Sequence, residues 1–200
     1  PLALTPLNRI IILFNIHEGP VMQESHSITC RCGAVRLTLS GSSIMSSECM
    51  CTSCRSASEV FAALPDGMGM TDGKGATHVI IHRADKVACD AGAENLQQHR
   101  LTPDSPTRRI LASCCNTPMF LDFEPGHWVS LYAINWSEND RPAVEYRMFC
   151  NDLADADCLP SDVPNGRPMP LGAVWRLASS FALMGFRSPI VAFMQRASNV

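Results

Sequence analysis

The sequence predicts a mainly β fold organised around bound metal, and three observations carry that prediction. Short runs of β-branched and aromatic residues alternate with turns rich in glycine and proline. Seven of the ten cysteines fall into three tight clusters. No apolar run reaches the ~20 residues that a membrane-spanning helix requires. The 200 residues suit one domain, and a domain of that size buries roughly 70% of the surface its unfolded chain exposes. With 46% hydrophobic and 18% charged residues, disorder throughout is excluded. A net charge of −3 gives no general attraction to nucleic acid or to an anionic membrane, so neither is expected as a partner.

Taken in order, residues 1–26 read as an N-terminal extension. Ile10-Ile11-Ile12-Leu13-Phe14 is either a buried strand or, on a second reading, part of a segment upstream of a natural start at Met22. Glu18-Gly19 can be encoded by a purine-rich ribosome-binding sequence just before that methionine. The domain proper is expected over residues 27–150. Ile28, Cys30 and Cys32 alternate with polar residues, and so do Val35, Leu37 and Leu39. The phase changes at Gly33, which predicts strand, tight turn and strand. Residues 49–54 are too crowded with cysteine for regular structure, and a short helix follows over 56–64, then a glycine-rich loop over 65–76. Further strands are predicted at His78-Val79-Ile80-Ile81-His82, Arg109-Ile110-Leu111-Ala112, Met119-Phe120-Leu121 and residues 129–134. Residues 151–200 make a connector rich in Asp and Pro and a C-terminal amphipathic helix. Trp175, Leu177, Phe181 and Met184 form its stripe, expected to pack on the domain. The longest apolar candidate, residues 171–194, carries Arg176 and Arg187 and is broken by Gly185 and Pro189, so it is not a membrane span.

The clusters carry the chemistry. No secretory signal with a cleavage site is read, so the expected setting is the reducing cytoplasm and the expected state is metal thiolate rather than disulfide. Cys30 and Cys32, two apart, point to one face if the strand continues, and Gly33 lets the backbone bend around an ion. Two thiolates do not complete a structural zinc site, which takes four ligands in tetrahedral array. Cys115, with Cys114, supplies the rest. Cys49, Cys51 and Cys54 form C-x-C-x-x-C with no fourth cysteine beside them. Three protein ligands and an open position are what a catalytic zinc keeps. The alternative is that a distant group closes the tetrahedron, from Cys89, Cys150, Cys158 or the six histidines. Isolated Cys89, Cys150 and Cys158 read better as small buried hydrophobes. The spacings match neither common ferredoxin pattern nor the paired C-x-x-C ribbon.

The order C-x-C-G, then C-x-C-x-x-C, then a cysteine motif ending in Thr-Pro resembles the glutathione-dependent formaldehyde-activating enzyme family, which also includes centromere protein V. The resemblance covers about residues 27–134. It implies a compact Mss4-like (β-tent) zinc-binding fold with short helices and two zinc ions. By it, Cys30 and Cys32 match half of a structural site, and Cys49, Cys51 and Cys54 match the catalytic zinc. It also implies a carbon–sulfur lyase acting on glutathione adducts. One departure stands out: the family's structural site ends in C-x-x-C-G, and this chain has Ala112 in place of the first cysteine and Asn116 in place of the glycine. Asn116 can replace glycine because it tolerates left-handed backbone.

As an enzyme, the chain would act on a small thiol adduct such as an S-hydroxymethyl compound, with Arg55, Arg108 and Arg109 as candidates for a carboxylate-binding rim or simply as solvated surface groups. Glu48 and Glu59 flank the zinc loop and read as capping or solvated groups, so no general base is assigned. The other classes are a non-catalytic zinc-stabilised binding module and a thiol sensor. His78 and His82 read as surface or edge residues.

Overall fold

The structure is a computed structural model that describes residues 25–156, 159–189, 193 and 198–199. The predicted start at Met22, most of the predicted extension and Cys158 lie outside the described residues. As the sequence predicts, the architecture is mainly β, with two α-helices among the described residues, one of them C-terminal.

A hairpin opens the domain: β1 (Ser25–Thr29) pairs with β2 (Arg36–Ser40), and β5 (Val87–Ala91) completes a three-stranded sheet on the far side of β2. The turn falls where the phase change placed it, with Gly33 at φ +78°. The other strands make one eight-stranded sheet. They are β3 (Met45–Cys49), β4 (Thr77–Arg83), β6 (Leu96–His99), β7 (Thr107–Ala112), β8 (Thr117–Phe123), β9 (Trp128–Tyr132), β10 (Tyr146–Met148) and β11 (Ser198–Asn199). Their order is β10-β3-β4-β9-β8-β7-β6-β11, antiparallel except at the two outermost pairs.

This large sheet is covered on both faces. Along β4 the alternation resolves into two cores. Ile80 packs toward the small sheet with Leu37, Phe120 and Leu131. Val79 and Ile81 face the opposite way, toward Phe61 of α1 (Thr52–Ala62) and Leu177 of α2 (Leu171–Leu183). The result is three layers: small sheet, large sheet, helices. A strand between two layers is apolar on both sides, which is why it reads as a nearly continuous hydrophobic run. It also corrects the reading of the histidines. His82 is buried, its Nε2 3.2 Å from Ser40 O, and His78 Nε2 lies 2.7 Å from Ser46 Oγ. Neither is at a sheet edge, because β3 and β9 flank β4.

The connector is laced to the domain rather than trailing from it. Buried Arg147 on β10 donates to Glu48 Oε2 at 2.7 Å, to Asp162 Oδ1 at 2.7 Å and to Pro160 O at 3.0 Å. Backbone bonds join Arg147 N to Pro164 O and Gly166 N to Arg147 O, both at 2.9 Å. The chain then enters α2, whose inward face is Ala173, Leu177, Ser180 and Met184, at helical spacing. Phe181 stacks on His127 with ring centres 4.9 Å apart. Trp175 does not share that face, contrary to the stripe read from the sequence: it lies two positions from Leu177, half a turn away, and is exposed.

Candidate metal centre

Two hairpin turns meet at the first cluster. After β1 the chain turns through Cys30, Arg31, Cys32 and Gly33, with Gly33 N donating to Cys30 O at 2.9 Å. Cys30 and Cys32 therefore sit in a turn, not on a continuing strand. The second turn joins β7 to β8 and carries Cys114 and Cys115, with Cys115 N donating to Ala112 O at 3.1 Å. The sulfurs converge: Cys30–Cys32 3.5 Å, Cys32–Cys114 3.3 Å, Cys30–Cys114 3.8 Å and Cys114–Cys115 3.9 Å. A tetrahedral ion with metal–sulfur bonds of ~2.3 Å sets its ligands about 3.8 Å apart, so the four thiols fit one.

Ala112 is fully buried in the core at the end of β7, and Cys114, two residues on, supplies the fourth sulfur. Adjacent ligands are accommodated by Asn116, at φ +50°, whose Nδ2 donates to Pro65 O at 2.9 Å. Burial pushes the Cys115 thiol up, but Thr117 Oγ1 at 3.0 Å and the backbone N–H groups of Cys32 and Thr117 outweigh it, holding it down to about 6. Burial pushes Cys30 up.

The second cluster is built differently. Cys49 ends β3, Cys51 is the N-cap of α1, and Cys54 lies in the helix's first turn. The helix thus starts four residues earlier than the sequence suggested. Cys51 Sγ accepts the N–H of Cys54 at 3.3 Å, while Asp152 Oδ2 accepts that of Thr52 at 2.8 Å. Cys54 and Cys49 sulfurs are 3.7 Å apart, and all three lie within 4.8 Å of one another. Within the trio the Cys51 thiol is the one favoured to ionise: the Cys49 and Cys54 thiols beside it lower its pKa to about 2. Cys49 is pushed up, first by its bond to Cys51, and Cys54 rises to about 12 because Cys51 and burial outweigh its bond with Cys49. The start of a helix also favours a thiolate there. None of Cys89, Cys150 or the described histidines joins the trio.

What the trio has instead is a cavity of about 410 Å³. It is floored by the large sheet (Val79, Ile81, Leu121, Phe123, Trp128 and others) and closed by Met148, Phe149, Met169 and Leu177. Phe149 holds a left-handed backbone, φ +59°, uncommon for a bulky residue and frequent at functional sites. No histidine or carboxylate lines the cavity among the described residues.

Arg109 does line it. Its side chain is 1% exposed, and NH2 donates to Ser53 Oγ at 2.7 Å and Ser53 O at 3.2 Å; Nε and NH1 have no hydrogen-bond partner. The other two candidate arginines are committed elsewhere. Arg108 pairs with Asp122, Nε to Oδ2 2.9 Å, and Arg55 binds Met50 O, Thr52 Oγ1 and Asp152 O. Glu48 pairs with Arg147, and Glu59 is exposed. Tyr132, missed in the sequence, is wholly buried with an unpartnered hydroxyl; burial pushes its pKa up, and it senses the charges of Cys54, Arg109, Cys49 and Cys51. Only its burial in the helix-side core, close to the cysteine trio, sets it apart from an ordinary strand tyrosine.

The model of the glutathione-dependent formaldehyde-activating enzyme family matches residues 25–67. Over that segment, the chain is similar to that family. The match takes in Cys30, Cys32, Cys49, Cys51 and Cys54 and stops before Cys114 and Cys115. No curated protein matches the chain. Among solved structures, it is similar to a crystal structure of a Rhodobacter sphaeroides protein. That similarity has 15% identity and a TM-score of 0.42, and covers 70% of this chain and 99% of that one. Each cluster could hold a metal ion. Among the described residues no helix is long and apolar enough to cross a membrane.

Proposed function

We propose that this GFA-like chain is a zinc-dependent carbon–sulfur lyase acting on an S-hydroxyalkyl thiol adduct. In this reading one zinc is held by Cys30, Cys32, Cys114 and Cys115 for structure, and a second by Cys49, Cys51 and Cys54 for chemistry. One observation carries the reading: four sulfurs close the first site, whereas three meet a cavity at the second. The reaction needs no redox partner. The carbon–sulfur bond breaks with its electron pair going to sulfur, the hydroxyl loses its proton to solvent, and a carbonyl and a thiolate result, the thiolate taking a proton from solvent to leave as a thiol. The ion bound by the three cysteines supplies Lewis acidity. The chain's own residues do the remainder: the apolar walls exclude water, and Arg109, braced by Ser53, offers donors to an anionic substrate. Nine described cysteines without a disulfide support a reducing compartment, the cytoplasm.

The test is turnover of S-hydroxymethylglutathione and of S-hydroxymethyl adducts of other thiols by metal-replete protein, followed by release of the aldehyde. Activity that disappears in Cys51→Ser supports the reading, and no turnover of any adduct overturns it. A binding module is the second reading, favoured by Leu171, Trp175, Leu183 and Phe186, which leave an apolar surface on and just after α2. It predicts a protein that binds both metals and turns over nothing.

A further inference from the structure

We infer that the cavity beside Cys49, Cys51 and Cys54 selects an apolar mercaptocarboxylate, with the carboxylate on Arg109 and the body along the sheet. The inference rests on the reading just given of which end of the cavity reacts, and names its substrate class. Two observations meet here.

The first is the guanidinium. A buried arginine with two donors unmatched is costly, because each buried donor without a partner forfeits its hydration. Arg109 keeps Nε and NH1 in that state while Ser53 fixes NH2. Each of these two nitrogens shares an edge of the planar fork with NH2, the nitrogen that Ser53 holds, so either can give a carboxylate a charge-assisted hydrogen bond. Arg109 is also the one charged side chain, cysteines aside, among the cavity's described lining residues, so the site is matched to a single anionic group. Ser53 lies between Cys51 and Cys54 in the motif, so the guanidinium is held near the sulfurs. The ligand's carboxylate and sulfur therefore belong at the same end of the molecule, a few bonds apart.

The second is the rest of the wall. Nine of the sixteen lining residues are aliphatic, aromatic or methionine. Glutathione has two carboxylates, an ammonium group and two peptide links; this cavity has one guanidinium, the hydroxyls of Ser53, Thr107 and Ser130, and otherwise a surface mostly of carbon and sulfur. A polar tripeptide buried there would leave groups unpaired, whereas an alkyl or aryl body would be matched.

The test uses metal-replete protein and three simple probes: hexanoate, hexan-1-ol and acetate. Binding is read by quenching of Trp128, which lines the cavity, with Trp128→Phe as the control for signal from Trp136 and Trp175, and by calorimetry. Hexanoate is expected to bind at least ~10-fold more tightly than either of the others, the scale of one charge-assisted hydrogen bond. Arg109→Gln is expected to erase the preference over hexan-1-ol, and Arg109→Lys to restore part of it. Equal affinity for hexanoate and hexan-1-ol overturns the inference and leaves the guanidinium as a counter-charge for the sulfurs. Acetate binding as tightly as hexanoate overturns the apolar body. The probe series on the unaltered protein decides the matter even where Arg109→Gln fails to fold. The two readings fail separately. Tight hexanoate binding without turnover of any adduct sinks the lyase alone, and turnover without hexanoate preference sinks the substrate class alone.

Discussion

The two sulfur clusters differ in number and, more tellingly, in where they lie. The four-sulfur cluster sits at the surface, with Cys32 and Cys114 exposed, where two hairpin turns meet. The three-sulfur cluster is buried, with Cys49 and Cys54 inside the protein. In the proposed reading, burial does not mark the structural site. Of the four, Cys30 is buried in the core with Cys115 packed against it, and an ion there could hold the two turns together without being fully enclosed. A reacting centre gains from a dry, apolar surround, which strengthens electrostatic interactions.

The sharpest way to break this comparison is to remove one sulfur from each. Cys30→Ser is expected to lose one metal equivalent and to lower the melting temperature by ~10 °C or more, since structural metal binding is folding free energy. Cys51→Ser is expected to lose the other equivalent with a shift of only ~2–4 °C, because serine still caps α1. Metal analysis beside calorimetry reads both. Equal destabilisation would erase the distinction.

Next in size is the buckle that holds the cavity wall. Arg147→Ala strands Glu48 and leaves the connector untied, and breaking a buried pair costs about 3 kcal/mol. At this chain length that corresponds to a fall of roughly 6–12 °C. A fall confined to a degree or two would show the connector to be held by its backbone bonds alone.

Smaller again is the turn of the exposed cluster. Asn116→Ala places a residue with a β-carbon and no side-chain bond in left-handed backbone, and is expected to cost ~1–2 kcal/mol. Asn116→Gly is expected to leave the denaturation midpoint nearly unchanged, and the pair of midpoints isolates the conformational part.

The smallest effect is on pH dependence. Burial first, and then Arg141, lowers His78 to about 4. Burial likewise lowers His82, His99 and His127. The unfolded chain, titrating near 6.5, binds more protons in this window, so stability is full above that pH and falls as the pH drops toward 4. Melting curves from pH 7 to 4.5 should show the decline, and His78→Gln should make it shallower.

The parts of this molecule that could be read from sequence are those in which a local pattern has a local cause. Gly33 marked the first turn, Asn116 accepted left-handed backbone, and the spacing of seven cysteines announced two clusters. The reading went wrong where a neighbour far along the chain decides the outcome. His82 reads as an edge residue until β3 and β9 close on either side of it. Arg109 and Arg108 are adjacent in sequence, yet the pleat sends one to a salt bridge with Asp122 and the other into the cavity. Trp175 and Leu177 are both large and apolar, but only the helix's rotation decides which meets the core. The early start of α1 was hidden because cysteine is not among the usual capping residues.

Met169 and Leu177 reach the cavity from beyond residue 150, while Cys49, Cys51 and Cys54 reach it from before residue 55. The sulfurs and part of the wall that shapes a ligand are thus encoded on separate stretches of one chain. Exchanging the tail for another of similar length would retune what fits while leaving the sulfurs alone, so new specificities can be grafted by changing the lid of the chamber and keeping its hearth.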